Sequence, residues 1–236
     1  MFFVGTSGGP GRGLLAALLL TGVILLGVFL TFGVSRLLSG TLLRGVPSSF
    51  TLELPPYRRP RIGQVVVRSV LDRTLFVLGR AAAVAAPAGL LIWLCANVQV
   101  GGDSILNWCT GFLDPFARLL GLDGVILMAF LLGFPANEIV IPIIIMAYLS
   151  TGSLLEFDSL DALRQLLVDH GWTWLTAVCT MLFSLMHWPC STTLLTIHKE
   201  TGSWKWTGAA VLIPTICGVL SCAAVRQGAA LLGVTC

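Results

Sequence analysis

The chain has 236 residues, of which 56% are hydrophobic and only 11% are charged, and its formal net charge is +3. A soluble domain carries about 25% charged residues, so these values exclude an ordinary soluble enzyme and indicate an integral membrane protein. The apolar runs are near 20 residues long, which is the length of a spanning helix and not of a barrel strand. The seven cysteines are an odd number without the spacing of a secreted domain, so they imply no disulfide framework. We predict an all-α integral membrane protein.

About five transmembrane helices are predicted. Residues 1–12 are glycine-rich and are predicted to be disordered. Residues 39–80 are predicted to form a basic cytoplasmic loop and an amphipathic helix, which either lies at the membrane surface or extends the next span. Residues 99–124 are predicted to form one short amphipathic helix outside the bilayer core, within a transmembrane domain that covers residues 81–232. The predicted spans are residues 13–38, 81–98, 125–149, 172–197 and 207–232.

Two of these spans are interrupted by the same kind of motif, an aromatic residue, a proline and two small or polar residues. Residues 134–137 read Phe-Pro-Ala-Asn and residues 188–191 read Trp-Pro-Cys-Ser. Proline removes a backbone donor and clashes with the preceding turn, so each helix must kink or open, and we expect breaks at 133–138 and 187–193. Paired interruptions of this kind are typical of a transporter's substrate site. The predicted helix-breaking residues are Gly133, Pro135, Pro142 and Pro189.

The basic residues indicate an orientation in the membrane. Seven of the 14 lie between Arg44 and Arg80. Such a run could bind nucleic acid, but in a membrane protein it marks the cytoplasmic side, so we predict no nucleic-acid partner. With five alternating spans this orientation places ten basic residues inside and four outside. It places the C-terminus in the cytoplasm and the N-terminus outside, which suggests that another segment precedes this one.

The side chains in the two breaks suit a divalent metal cation. Carboxylate, imidazole and thiolate groups all bind cations of borderline softness. A carboxylate near the middle of a span costs about 2.5–3.5 kcal/mol, so Glu138 is either a pathway residue or one half of a structural pair. Asn137 could coordinate the cation or cap the half-helix after the break. Cys190 follows a break and is either a ligand or a packed thiol, and His187 is either a ligand or a hydrogen-bonded structural residue. The candidate pathway residues are Glu138, Asn137, Cys190, His187, Thr192, Thr193 and Met186.

Three segments carry a family resemblance. Residues 53–60 (Glu-Leu-Pro-Pro-Tyr-Arg-Arg-Pro), 133–142 (Gly-Phe-Pro-Ala-Asn-Glu-Ile-Val-Ile-Pro) and 199–206 (Lys-Glu-Thr-Gly-Ser-Trp-Lys-Trp) resemble the C-terminal membrane region of the ferrous iron transport protein B family. Order and spacing agree over residues 14 to 232. The resemblance implies a multi-pass protein of the bacterial inner membrane that carries Fe(II) as its substrate and is a transporter and not an enzyme. It also places a pore cysteine at Cys190.

The chain departs from that family in two ways. It has no phosphate-binding loop of the G-x-x-x-x-G-K-[ST] type, so we expect no GTP site in this chain. It also lacks the first half of the family's membrane domain. The resemblance therefore implies a GTPase domain and an N-terminal membrane half as partners, in trans or missing, unless a homo-oligomer builds the pore. The residues expected to contact that GTPase or anionic lipid are Arg58, Arg59, Arg61 and Arg68.

Two other functions fit the same sequence. Related broken-helix gate domains serve organic solutes, so a nucleoside-type or other solute permease is the first alternative. The second is a non-transporting membrane scaffold or fragment, which would bind no metal and would not depend on Cys190. If the protein is a metal transporter, its candidate ligands do not distinguish Fe(II) from Mn(II) or Zn(II).

Overall fold

The structure is a computed structural model that describes residues 10–41, 62–68, 74–150, 160–231 and 233. The described part consists of helices and one short hairpin, whose turn residues Gly101 and Gly102 have positive φ angles. The elements are α1 (Pro10–Gly40), α2 (Ile62–Arg68), α3 (Phe76–Asn97), β1 (Gln99–Val100), β2 (Asp103–Ser104), α4 (Ile105–Leu119), α5 (Gly124–Leu132), α6 (Val140–Leu149), α7 (Leu160–Asp169), α8 (Trp174–Met186), α9 (Ser191–Thr201) and α10 (Trp204–Leu231).

The predicted all-α membrane class is confirmed. By length and composition, three helical stretches of the described residues can cross a membrane, namely Gly13–Gly40, Trp174–Thr201 and Trp204–Leu231. The bent pair of α4 and α5 would add a fourth if it were counted as one span. A shorter apolar stretch, Ala81–Asn97, forms most of α3. The predicted number of five spans does not follow from these helices.

The predicted third span, residues 125–149, does not cross in one direction. The Tyr148 hydroxyl, at the end of α6, donates a hydrogen bond to the carboxylate of Asp123, the N-cap residue of α5. With nine and ten residues, α5 and α6 are each about 15 Å long or less, which is half of a hydrocarbon core of about 30 Å. The chain therefore enters, turns at the break and returns to the same end. The prediction of a crossing span was wrong because hydrophobicity gives the length of an apolar run and not its direction.

One end of the helix bundle is held together by this contact and its neighbours. The indole Nε1 of Trp172, just before α8, donates to the Tyr148 hydroxyl at 2.8 Å. The guanidinium Nη1 of Arg226, near the end of α10, donates to the carbonyl of Leu119 at 3.2 Å. We call this the Asp123 end, defined by Asp123, Tyr148, Trp172 and Arg226. The opposite end of the bundle contains Thr201 and Trp204, where α9 turns into α10.

Two glycines allow the close helix crossings around the core. A Cβ atom at Gly124 would lie 2.1 Å from the carbonyl oxygen of Thr110, so α4 and α5 can cross only without a side chain there. A Cβ atom at Gly218 in α10 would lie 3.3 Å from the carbonyl oxygen of Met186, at the end of α8. The core between these crossings is aromatic, with the Phe130 and Phe183 rings in edge contact at 4.9 Å.

Part of the basic segment can be compared with its prediction. Within residues 39–80 the structure describes α2, which ends in an exposed Arg68, and the start of α3 at Phe76. Arg58, Arg59 and Arg61 lie outside the described residues, as does most of the segment predicted to be disordered at residues 1–12.

Candidate functional site

The two breaks predicted from the sequence touch each other. The backbone N–H of Ser191 donates a hydrogen bond of 2.9 Å to the carbonyl oxygen of Phe134. The Phe130 and His187 rings, one on each side of the contact, lie 4.9 Å apart. Because α8 has 13 residues, it carries the second break about 20 Å from the Asp123 end. The tip of the α5–α6 hairpin therefore meets the break between α8 and α9 deep within the apolar layer.

A cavity of about 880 Å³ opens beside this contact. Its walls come from α1, α10, the end of α8 and the tip of the hairpin. Among the predicted pathway residues, Asn137, Met186 and His187 line it. No part of the prediction placed α1 in this wall, although two of its four hydroxyl residues, Thr31 and Ser35, stand four apart and line the cavity.

The first break lies between α5 and α6. Gly133 is the last residue bonded into α5, and its amide donates to the Ala129 carbonyl at 2.8 Å. A Cβ atom at Gly133 would lie 2.6 Å from Val140 Cγ2, so any side chain there would force Val140 or the turn to shift. Pro135 lies in the non-helical segment between α5 and α6. Pro142 does not break the helix, because it lies in the first turn of α6, where proline is tolerated.

Asn137 and Glu138 form the exposed tip of the hairpin, in a short 3-10 turn that covers Asn137–Ile139. The N-cap positions of this region are Ala136 and Ile139, and neither side chain makes a capping hydrogen bond, so the capping alternative for Asn137 is not realised. Within the described part of the chain, Glu138 has no ion pair. A carboxylate at this depth is stable only next to water, a cation or a partner that neutralises it.

His187 ends α8 with a defined ring orientation. Its Nδ1 lies 2.9 Å from the carbonyl oxygen of Ser184, which can only accept, so Nδ1 carries the proton. The lone pair is then on Nε2, which is buried and has no hydrogen-bond partner among the described residues. A histidine that donates one ring N–H to a backbone carbonyl has the arrangement found in metal-ligating histidines. The rings of Phe130, Phe183 and Trp188 surround it at centroid distances of 4.9–6.0 Å.

Cys190 begins α9 on the other side of the second break, directly after Pro189. It occupies the N-cap position, and its Sγ lies 3.1 Å from the hydroxyls of both Thr192 and Thr193. Cys190 does not line the 880 Å³ cavity, whereas His187 does. The predicted pathway residues therefore fall into two groups, one at the cavity and one at the start of α9.

No closed metal site exists in the part of the chain that the structure describes, because no three of its His, Cys, Asp and Glu side chains converge. The Met186 thioether has a protein partner, since it accepts a hydrogen bond of 3.5 Å from the Ser221 hydroxyl of α10. The buried Trp188 indole N–H and Ser191 hydroxyl have no partner in the same described part. Polar groups line the junction, but in an open arrangement that suits weak and sequential contacts.

Two family models match the chain. The model described as "Gate: Nucleoside recognition" matches residues 78–204, which includes both breaks and the hairpin. The model described as "Ferrous iron transport protein B C terminus" matches residues 20–72. No solved structure matches the chain significantly.

Curated relatives point to the family of the second model. The "Fe(2+) transporter FeoB" of Staphylococcus aureus strain MSSA476 is 30% identical over 210 residues, which cover 85% of this chain and 30% of that protein. The protein of the same name from Methanocaldococcus jannaschii is 27% identical over 209 residues, covering 80% of this chain and 30% of that protein. This chain therefore spans about a third of the length of these relatives. It belongs to the ferrous iron transport protein B family and corresponds to the C-terminal membrane region of that family.

Proposed function

We propose that this chain is the C-terminal gate region of a ferrous iron importer of the bacterial inner membrane, and that Fe(II) passes where the two breaks meet. The observation that carries the proposal is the 2.9 Å hydrogen bond from Ser191 to Phe134 beside a cavity lined by Asn137 and His187. It supports a shared site, because interrupted helices in transporters supply their polar groups at the junction. The relatives named as Fe(2+) transporters supply the substrate.

The arrangement suggests a role for each group of residues. Glu138 attracts the cation at the hairpin tip, and the amide oxygen of Asn137 and the Nε2 atom of His187 contact it at the cavity. Cys190, with the hydroxyls of Thr192 and Thr193, forms a second contact at the start of α9. The Met186 thioether forms part of the wall. Contacts of this kind must be weak and spread over several positions so that the ion can leave again.

The proposal includes partners that this chain does not contain. The chain spans about a third of its curated relatives, so an N-terminal membrane half and a GTPase domain would complete the transporter. The basic segment between α1 and α3 is the surface we assign to the GTPase contact, with Arg68 as its described member. Its positive charge also suits anionic lipid.

The test is anaerobic uptake of radiolabelled Fe(II) in bacterial cells that lack their own ferrous importer. The chain is expressed alone and together with a partner that carries the GTPase and the other membrane half. Uptake only with the partner is the expected result. Uptake by the chain alone would show that a homo-oligomer forms the pore. No uptake in either case, with the protein present in the membrane, would contradict iron import and favour a non-transporting chain.

One observation favours a second candidate, a nucleoside-type permease. The family model that covers residues 78–204 is described by nucleoside recognition. The same cells therefore also receive labelled nucleosides, and Fe(II) uptake is repeated with excess unlabelled nucleoside. Nucleoside uptake that is indifferent to Fe(II) would replace the iron proposal, whereas Fe(II) uptake that is indifferent to nucleoside supports it.

A further inference from the structure

We propose that α4 is an interfacial helix that lies on the outer leaflet of the membrane, with Trp108, Phe112, Phe116 and Leu119 inserted among the lipids. The four residues follow a spacing of four, four and three, so they form one stripe along the helix. Between 56% and 73% of each side chain is exposed. We call this stripe the α4 aromatic face. The proposal does not depend on which substrate the protein carries.

The other two faces of α4 have different surroundings. Leu106 and Ala117 are buried and Leu113 packs on the core, so one face holds the helix against the protein. Asp114 and Arg118 form an ion pair at 2.6 Å on a third face. A helix with a protein face, an aromatic face and a polar face is the pattern of a segment at the membrane interface. A helix in water would leave the aromatic face exposed at a cost of about 25 cal/mol per Å².

The geometry of the neighbouring helices puts α4 in the plane of the membrane. The chain bends by 109° between α4 and α5. Because α5 descends to the buried junction with Ser191, its direction follows the membrane normal, and α4 is close to perpendicular to that direction. The hydrogen bond from the Arg226 side chain to the Leu119 carbonyl holds the end of α4 beside the C-terminal part of α10. This level is the Asp123 end of the bundle.

The β1–β2 hairpin, just before α4, orients Trp108 as an interface residue. The indole Nε1 of Trp108 donates to the carbonyl of Val100 at 3.2 Å, while 63% of the side chain is exposed. Its polar atom is thus satisfied and its apolar ring remains free for lipid, which is how tryptophan sits at membrane interfaces. The adjoining end of α3 exposes Trp93 and Leu94, so the aromatic face continues the apolar surface of a spanning helix.

The charge distribution assigns the Asp123 end to the outer side. If the shorter apolar helix α3 also crosses, then α1, α3, α8–α9 and α10 are four crossings, and both ends of the described chain lie at the Asp123 end. The sequence from the end of α1 to the start of α3, together with the turn from α9 to α10, contains ten of the 14 basic residues. The described members, which lie toward the opposite end, are Arg36, Arg68, Arg80, Lys199 and Lys205. The Asp123 end carries four, which are Arg12, Arg118, Arg164 and Arg226. The opposite end is therefore cytoplasmic, and the C-terminus lies outside, contrary to the expectation from five spans.

The first test identifies what covers the α4 aromatic face. The photoreactive residue p-benzoyl-phenylalanine replaces Phe112 in one variant and Phe116 in a second, and it replaces Arg118 on the polar face as the matched control. After illumination of whole membranes, mass spectrometry is expected to find phospholipid adducts at positions 112 and 116 and several-fold fewer at 118. A protein adduct at 112 and 116 would assign the face to a partner subunit and overturn the proposal. Equal lipid labelling at all three positions would also overturn it.

The second test determines the side. The full chain is fused at its C-terminus to alkaline phosphatase, which is active only outside the cytoplasm, or to a green fluorescent protein, which fluoresces inside. An active phosphatase with a dark fluorescent fusion is expected. A fluorescent fusion with an inactive phosphatase would place α4 on the cytoplasmic leaflet and overturn the assignment to the outer side.

Discussion

The backbone N–H of Ser191 donates to the carbonyl oxygen of Phe134, so the two interrupted segments share a hydrogen bond although 57 residues separate them in the sequence. Each break removes helical hydrogen bonds, and the freed backbone groups need partners at this depth. One such group, the carbonyl of Phe134, finds its partner in the other break, at the N–H of Ser191. The junction is thus a structural requirement of the fold as well as the place where polar side chains gather.

The turn of the hairpin depends on Gly133. We expect Gly133→Ala to lower the stability of the detergent-solubilised protein by about 1–3 kcal/mol, because its Cβ would lie 2.6 Å from Val140 Cγ2. The matched control is Gly208→Ala in α10, where a Cβ atom would meet nothing within 4 Å. Thermal unfolding followed by circular dichroism measures both. Equal melting temperatures for the two variants would show that the turn tolerates a side chain.

The α5–α6 hairpin is closed by the hydrogen bond from the Tyr148 hydroxyl to the Asp123 carboxylate. Tyr148→Phe is expected to destabilise the protein by about 1–3 kcal/mol, because the half-buried carboxylate loses a donor. Asp123→Asn retains an oxygen for the amide of Ile126, which donates to this side chain at 2.6 Å. A double-mutant cycle in unfolding experiments should give a coupling energy of about 0.5–3 kcal/mol. Strictly additive effects would mean that the two ends of the hairpin are not joined in the membrane.

His187 can be tested without disturbing its packing. His187→Phe keeps a ring between Phe130 and Phe183 but removes the unpartnered Nε2 atom. We expect Fe(II) uptake to fall about tenfold, the effect of losing about 1.4 kcal/mol of cation binding, with little change in the amount of protein in the membrane. His198→Phe is the control, because that ring packs against Trp204 at the opposite end of the bundle, with the ring centroids 4.0 Å apart. A similar loss in both variants would assign His187 a packing role.

Cys190 should determine how well soft cations compete with iron. Cys190→Ser keeps a small hydroxyl group beside Thr192 and Thr193 but replaces sulfur by a harder donor. We expect inhibition of Fe(II) uptake by Cd(II) to weaken several-fold, because thiolate selects the softer ion. Cys109→Ser in α4 is the control and should leave the inhibition curve unchanged. An unchanged curve for Cys190→Ser would place its thiol outside the pathway.

The ends of the helices and the path of the chain depend on different parts of the sequence. Proline and glycine at 133–135 and at 189 act locally, and α5 and α8 end shortly before them, at Leu132 and Met186. Whether the chain continues or returns after a break depends on contacts between distant residues. Tyr148 and Asp123 are 25 residues apart, and nothing in the local pattern of either residue indicates that they meet.

In the candidate site, too, some features depend on the local sequence and others on contacts between distant residues. The exposed position of Glu138 and the N-cap position of Cys190 follow from their places next to breaks. The separation of Cys190 from the cavity that His187 lines could not be predicted, because three residues of non-helical chain do not keep the one-turn spacing of a helix. The wall formed by α1 was also missed, since long-range packing of an apolar helix leaves no signal in its own composition.

If a cation passes the tip of the α5–α6 hairpin, Glu138→Gln is the substitution that should reveal it most directly. The substitution keeps the shape of the side chain and removes its charge, at a position with no ion pair in the described residues. Anaerobic Fe(II) uptake is measured for this variant and for Glu200→Gln, an exposed carboxylate near the end of α9, each expressed with the partner half and at matched membrane levels. We predict that Glu138→Gln lowers uptake about tenfold or more, which corresponds to about 1.4 kcal/mol, while Glu200→Gln has no effect. Wild-type uptake by Glu138→Gln would remove the hairpin tip from the pathway and contradict the account.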